Sequence, residues 1–76
     1  MEIHLAGHLN WYDADQRSSF EITIAERCSL LDLLGKLGVP AGEVAIALLN
    51  DKQVDVKSAW LENGDRLALY PPAAGG

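Results

Sequence analysis

Ser29 to Pro40 reads SLLDLLGKLGVP. Leu30, Leu33, Leu34 and Leu37 fall at i, i+3, i+4 and i+7, the stripe that an amphipathic helix turns toward a core. Ser29 and Asp32 have the spacing of an N-cap and its N3 partner, so the serine hydroxyl can accept from an orphan amide while the aspartate complements the positive helix end. At the far end Gly38 suits a left-handed residue, Val39 can fold back on the last turn, and Pro40 forbids continuation. Gly35 inside the helix costs about 1 kcal/mol relative to alanine. This is the one helical stripe in the chain, and everything else apolar must be covered by it.

On either side the periodicity is two. Met1 to Leu9 alternates with Ile3 and Leu5 on one face and His4 and Ala6 on the other, which predicts a half-buried strand. A polar stretch, Asn10 to Ser19, leads to Phe20–Ala25, where Phe20, Ile22 and Ile24 share a side, so the two runs predict a hairpin with a long loop. After the helix, EVAIALLN (Glu43–Asn50) predicts Val44, Ile46 and Leu48 inward and Ala45, Ala47 and Leu49 outward. Asn50 and Asp51 supply a turn, Gln53–Val56 a short edge strand, and Lys57–Glu62 an irregular turn that buries Trp60 or Leu61. Asn63–Gly64 is a tight turn into the last strand, Asp65–Tyr70, with Leu67 and Leu69 inward and Ala68 and Tyr70 outward.

The order is strand, strand, helix, strand, short strand, strand. One helix on one face of one mixed sheet of four to five strands is an α+β arrangement, the β-grasp of ubiquitin-like proteins. The division expected is a β-grasp domain over residues 1–70 and an extended tail over residues 71–76. With 76 residues there is room for one thin core and none for an enclosed active site. The composition, 49% hydrophobic and 22% charged, is that of a compact globular chain.

Six Lys and Arg against 11 Asp and Glu give a formal net charge of -5, which repels phosphate backbones and anionic lipid and so argues against nucleic acid and membrane partners. A single cysteine, Cys28, forms no internal disulfide, no apolar run reaches the roughly 20 residues of a bilayer span, and Met1 leads straight into an alternating pattern; a cytoplasmic protein is expected. His4 and His8, four apart on the predicted strand, are about 13 Å from each other at ~3.3 Å per residue, too far to share a metal, and Asp13 and Asp15 lack the glycine and distal glutamate of a calcium loop. Cys28 reads as a small residue packed before the helix. No nucleophile–base set or phosphate loop is present, so this chain is expected to bind no metal or cofactor and to perform no catalysis itself. Trp11 and Tyr12 are open between a second contact point and a cover for the core edge.

Two features carry chemistry. If the helix covers one sheet face, the other presents Ala45, Ala47, Ala68 and Tyr70 beside His4 and Ala6, a flat apolar surface where Thr, Lys and Glu would be ordinary, and so a candidate docking patch. The second is the terminal YPPAAGG. Pro71 ends the ladder because it has no amide, and Pro72 keeps the chain extended. Gly75 and Gly76 have no Cβ, so the tip can enter a channel too narrow for side chains and leaves the Gly76 carboxylate unhindered for activation as an acyl adenylate. A terminus of small residues with no chemical role is the plainer reading of the same composition.

The stretch NGDRLALYPPAAGG, Asn63 to Gly76, resembles the carboxyl end of MoaD/ThiS sulfur-carrier proteins, with a Gly-Asp turn, a hydrophobic strand, a Pro-Pro pair and Gly-Gly. The paired prolines resemble the MoaD side. The resemblance implies that an adenylating enzyme of the MoeB/ThiF kind uses ATP to activate Gly76, that a persulfide donor supplies sulfur, and that the thiocarboxylate serves a sulfur-accepting synthase. It implies a molybdopterin or tungstopterin type of cofactor biosynthesis. It also implies that Ala45, Ala47, Ala68, Tyr70, Pro71 and Pro72 meet the adenylating partner. Where molybdopterin synthase small subunits carry an Arg-Glu-containing helical segment, this chain has GHLNWYDADQRSS at Gly7–Ser19. Rival readings are a ThiS-like carrier for the thiazole of thiamin, a ubiquitin-like modifier that forms isopeptide bonds, and a non-reactive β-grasp interaction module.

Overall fold

The computed structural model describes residues 1–72. Its main sheet has five strands in the order β2-β1-β7-β4-β5, formed by β1 (Glu2–Leu5), β2 (Ser19–Glu21), β4 (Ile46–Leu49), β5 (Lys52–Val54) and β7 (Arg66–Tyr70). The central strand β7 runs parallel to its neighbour β1, with Ile3 beside Leu67 and Leu5 beside Leu69; the other neighbours are antiparallel. Helix α1 (Leu30–Leu37) is the single α-helix among the described residues. This is the ubiquitin-like β-grasp expected from the lone helical stripe.

The helix ends follow the local chemistry. Ser29 Oγ accepts from the Asp32 amide at 3.1 Å, Gly38 adopts φ 78°, and the Val39 amide returns to the Leu34 carbonyl at 3.0 Å. Leu30, Leu33 and Leu34 are fully enclosed together with Ile3, Leu5, Leu67 and Leu69, while Leu37 is half-buried at the edge of the same cluster. A two-stranded ribbon, β3 (Cys28–Ser29) with β6 (Trp60–Leu61), caps this core where the sequence predicts only an irregular turn. Of the two residues expected to be buried there, Leu61 is enclosed and Trp60 lies in solvent under the Arg27 guanidinium. Asn63, in the turn before β7, clamps the β2–β3 connection by donating to the Ile24 carbonyl at 2.6 Å and accepting from its amide at 3.0 Å.

Two expectations are corrected. The first strand stops at Leu5 rather than running to Leu9, because Gly7 takes φ 57° and the chain turns into a 3-10 helix over Gly7–Tyr12. That turn swings Leu9 into the core, where it is fully buried, and places His4 and His8 on different elements. The second correction is the phase of β4. A 3-10 turn (Ala41–Glu43) buries Val44 at its end, a bend at Ala45 leaves both Ala45 and Ile46 exposed, and alternation resumes one residue out of step, with Ala47 fully buried. Pairing with β7 enforces the shift: Ala47 lies opposite Leu69 and Leu49 opposite Leu67, so this pair shares the helix side and Ile46 and Leu48 do not.

Candidate functional site

Because Leu67 and Leu69 face α1, Ala68 and Tyr70 face away from it, and their cross-strand partners do the same. Ile46 stands opposite Tyr70 and Leu48 opposite Ala68, while on the other side of β7 His4 is the parallel partner of Ala68. The His4 ring lies 6.4 Å from the Tyr70 ring, tilted by 60°, and its Nδ1 is 3.1 Å from Ser19 Oγ. The outer face is therefore an apolar strip of Ile46, Leu48, Ala68 and Tyr70 flanked by His4. Ile46 is the most open member at 42% exposure.

The residues on this face are only partly those predicted from sequence. Ala68 and Tyr70 are where expected, half-buried on the outer face, and Ala45 is exposed beside it. Ala47 is a correction: it has no exposed surface and contributes to the core, so it cannot touch a partner. Ile46 and Leu48 take its place. The missed signal lies in Asn50 and Asp51, both at positive φ (52° and 69°), which make a two-residue turn. That turn pairs Leu49 with Lys52, Leu48 with Gln53 and Ala47 with Val54, so the single apolar residue of β5 marks Ala47 as its inward-facing partner.

One end of the strip is polar. Arg66 donates to Asp51 at 2.7 Å, and the Asn50 side chain both accepts from the Arg66 amide and donates to Asp65, which ties the β4–β5 turn to the start of β7. A shallow depression of about 150 Å³ opens there between Glu2, His4, Leu48 and Arg66. At the other end the strip meets the last residues of β7. The Ala45 amide donates to the Tyr70 carbonyl at 2.8 Å, the last bond of that ladder, and Pro71 follows with no amide to continue it. Pro71 is half-buried and Pro72 exposed. A methyl group built on Gly7 would stand 2.8 Å from Pro71 Cγ and 3.3 Å from its Cδ, so the ring rests directly on the glycine backbone. Gly75 and Gly76, which carry the acyl chemistry in the sequence reading, lie outside the described residues.

The remaining features are separate from this strip. Trp11 projects from the 3-10 turn at 71% exposure with its ring 5.8 Å from that of His8; Leu9, not Trp11, closes the core edge. His8 Nε2 is 3.4 Å from the Glu43 carboxylate. Asp13 organises the polar loop by accepting from Arg17 through Nε at 3.0 Å, the second guanidinium nitrogen at 3.1 Å and the backbone amide at 2.9 Å. These bonds hold its carboxyl well below the usual range, at about 2. Cys28 is half-buried in β3 against the core. A second, larger groove of about 510 Å³ lies between Leu31, Ala41, Val44, Val54 and Val56, along the edge strand β5. Among the described residues no helix is long and apolar enough to cross a membrane.

The model of a family described as Mut7-C ubiquitin matches residues 1–75 and so spans both sheets and the helix. No curated protein matches the chain.

Proposed function

The chain belongs to the Mut7-C ubiquitin family, and from that premise we propose that it is a sulfur carrier whose terminal Gly76 carboxylate is activated by a partner enzyme. The observation that supports this reading is one of continuity. The apolar strip of Ile46, Leu48, Ala68 and Tyr70 runs along β7 to the point where Pro71 leaves the sheet, so a partner seated on the strip holds the strand that leads to Gly-Gly.

The chemistry belongs to the partners. A Gly76 carboxylate oxygen attacks the α-phosphorus of ATP and pyrophosphate leaves, giving an acyl adenylate. The terminal sulfur of a persulfide then attacks the acyl carbon and AMP departs, leaving an acyl disulfide. A second thiol of the donor cleaves the S–S bond, is itself oxidised to a disulfide, and releases the thiocarboxylate, which a sulfur-accepting synthase consumes. This chain supplies the acyl group, the docking strip and the strand end; ATP is bound by the adenylating enzyme, and the carrier holds no cofactor of its own. A molybdopterin or tungstopterin type of product is the reading that the Pro71–Pro72 pair supports.

Intact mass of the protein purified from its own host tests the proposal. An oxygen-to-sulfur exchange localised to Gly76 is the expected result. Isopeptide conjugates on target lysines without any thioacid would make the protein a modifier, and an unmodified mass with partner binding unaffected by a residue appended to Gly76 would make it an inert interaction module.

A further inference from the structure

We infer that Gly7 is a positioning residue: its bare backbone is the seat on which the Pro71 ring rests, and it sets the direction in which the chain leaves β7. The use made of that direction rests on the carrier reading; the seat itself rests on geometry alone. A Cβ at position 7 would come within 2.8 Å of Pro71 Cγ, closer than non-bonded carbons tolerate, and the atoms it meets belong to a closed ring rather than to the end of a flexible side chain.

The two sides of this contact differ in how firmly they are held. On the Gly7 side, the preceding Ala6 amide donates to the Leu69 carbonyl at 2.9 Å, the Leu9 amide donates to Ala6 at 3.2 Å, and the Leu9 side chain is fully buried. On the other side, the last ladder bond stops at the Tyr70 carbonyl, and Pro71 has no amide with which to hold its place. A side chain at position 7 therefore displaces Pro71, and Pro72 with it, rather than the 3-10 turn. Gly7 also sits at φ 57°, a conformation that glycine adopts freely and asparagine tolerates better than other residues.

Gly7→Asn separates the two demands, because asparagine accepts the left-handed backbone yet carries the Cβ that Pro71 excludes. In the wild type, nuclear Overhauser cross-peaks join the Gly7 α-protons to the Pro71 ring protons; in Gly7→Asn they are lost while the unfolding midpoint stays close to wild type. The thiocarboxylate fraction in protein from its own host falls about tenfold or more, the scale expected when a reacting group is misplaced by an ångström. In a Pro71→Ala background, which has no ring to displace, Gly7→Asn has an effect at least several-fold smaller. Cross-peaks that persist in Gly7→Asn, or an equal loss with and without the Pro71 ring, overturn the inference. If the wild type itself carries no thiocarboxylate, the carrier reading is what fails, and the cross-peaks still decide the seat. Should Gly7→Asn not fold, wild type and Pro71→Ala suffice: missing cross-peaks in the first, or in the second a sulfur exchange equal to that of a sulfur-carrying wild type, refute the seat.

Discussion

Introducing an aspartate at two adjacent positions of β4 gives opposite results if its phase is the one described. Ala47 has no exposed surface and packs beside Leu69 and Leu67 under the helix. Ala47→Asp puts a carboxylate among leucines, in a core that holds no buried polar or charged residue among the described ones, which costs several kcal/mol even after relaxation, and overpacking adds about 1 to 3 kcal/mol. A domain of this length has a total stability of roughly 4 to 11 kcal/mol at 0.05 to 0.15 kcal/mol per residue, so Ala47→Asp leaves little or none of it. Ile46 is 42% exposed on the outer face, and the same change there removes only part of a side chain whose complete burial is worth about 1.5 to 3 kcal/mol. The loss is about 1 kcal/mol, or roughly 4 to 8 °C in midpoint for a chain of this size. Urea titration followed by far-ultraviolet circular dichroism measures both. A folded Ala47→Asp beside an unfolded Ile46→Asp would refute the assignment of faces and with it the composition of the strip.

Three other outcomes are expected. Tyr70→Asp raises the dissociation constant for the adenylating partner at least tenfold by calorimetry, with a small change in the unfolding midpoint, since the ring sits half-buried on the outer face; an unaltered constant means that the strip is not used. Ser29→Ala lowers stability by about 1 kcal/mol through loss of the bond from the Asp32 amide, and an equal stability would mean that solvent replaces the cap. The Asp13 carboxyl is depressed in the folded protein, so its contribution is complete above its unfolded value, near 4, and is lost as pH falls through about 2. Thermal melts of wild type should therefore drop more steeply over that window than those of Asp13→Asn, and parallel curves would show the Arg17 contact to be idle.

The fold was readable because its rarest signal was also its cleanest. One capped stripe of leucines between Ser29 and Gly38 leaves only one way to cover a sheet, and the inward sets of β1 and β7 follow from simple alternation. What was not readable depended on single residues that alter phase. Gly7 ends a strand whose alternation continues in the letters, and the bend at Ala45 displaces EVAIALLN by one position, which exchanges Ala47 for Ile46 and Leu48 on the outer surface. An alanine-rich run reads equally well in either phase, because alanine fits a core or a surface; only the partners across the ladder decide. The β3–β6 ribbon was hidden for another reason: strands of two residues have no period to detect. The expectation placed on Gly75 and Gly76, by contrast, rests on the sequence alone, as both lie beyond the described residues.

The side-by-side course of β1 and β7 ties the beginning of the sequence to its far end. During synthesis the first strand has no central neighbour until Leu67 and Leu69 have left the ribosome, and closing so long a loop makes assembly slow compared with a bundle of local contacts. The strip that includes Ala68 and Tyr70 comes into existence in that same late step. On the carrier reading proposed above, a partner that recognises the strip would therefore meet it only on copies in which β1 and β7 have paired, and misfolded copies would offer it no surface.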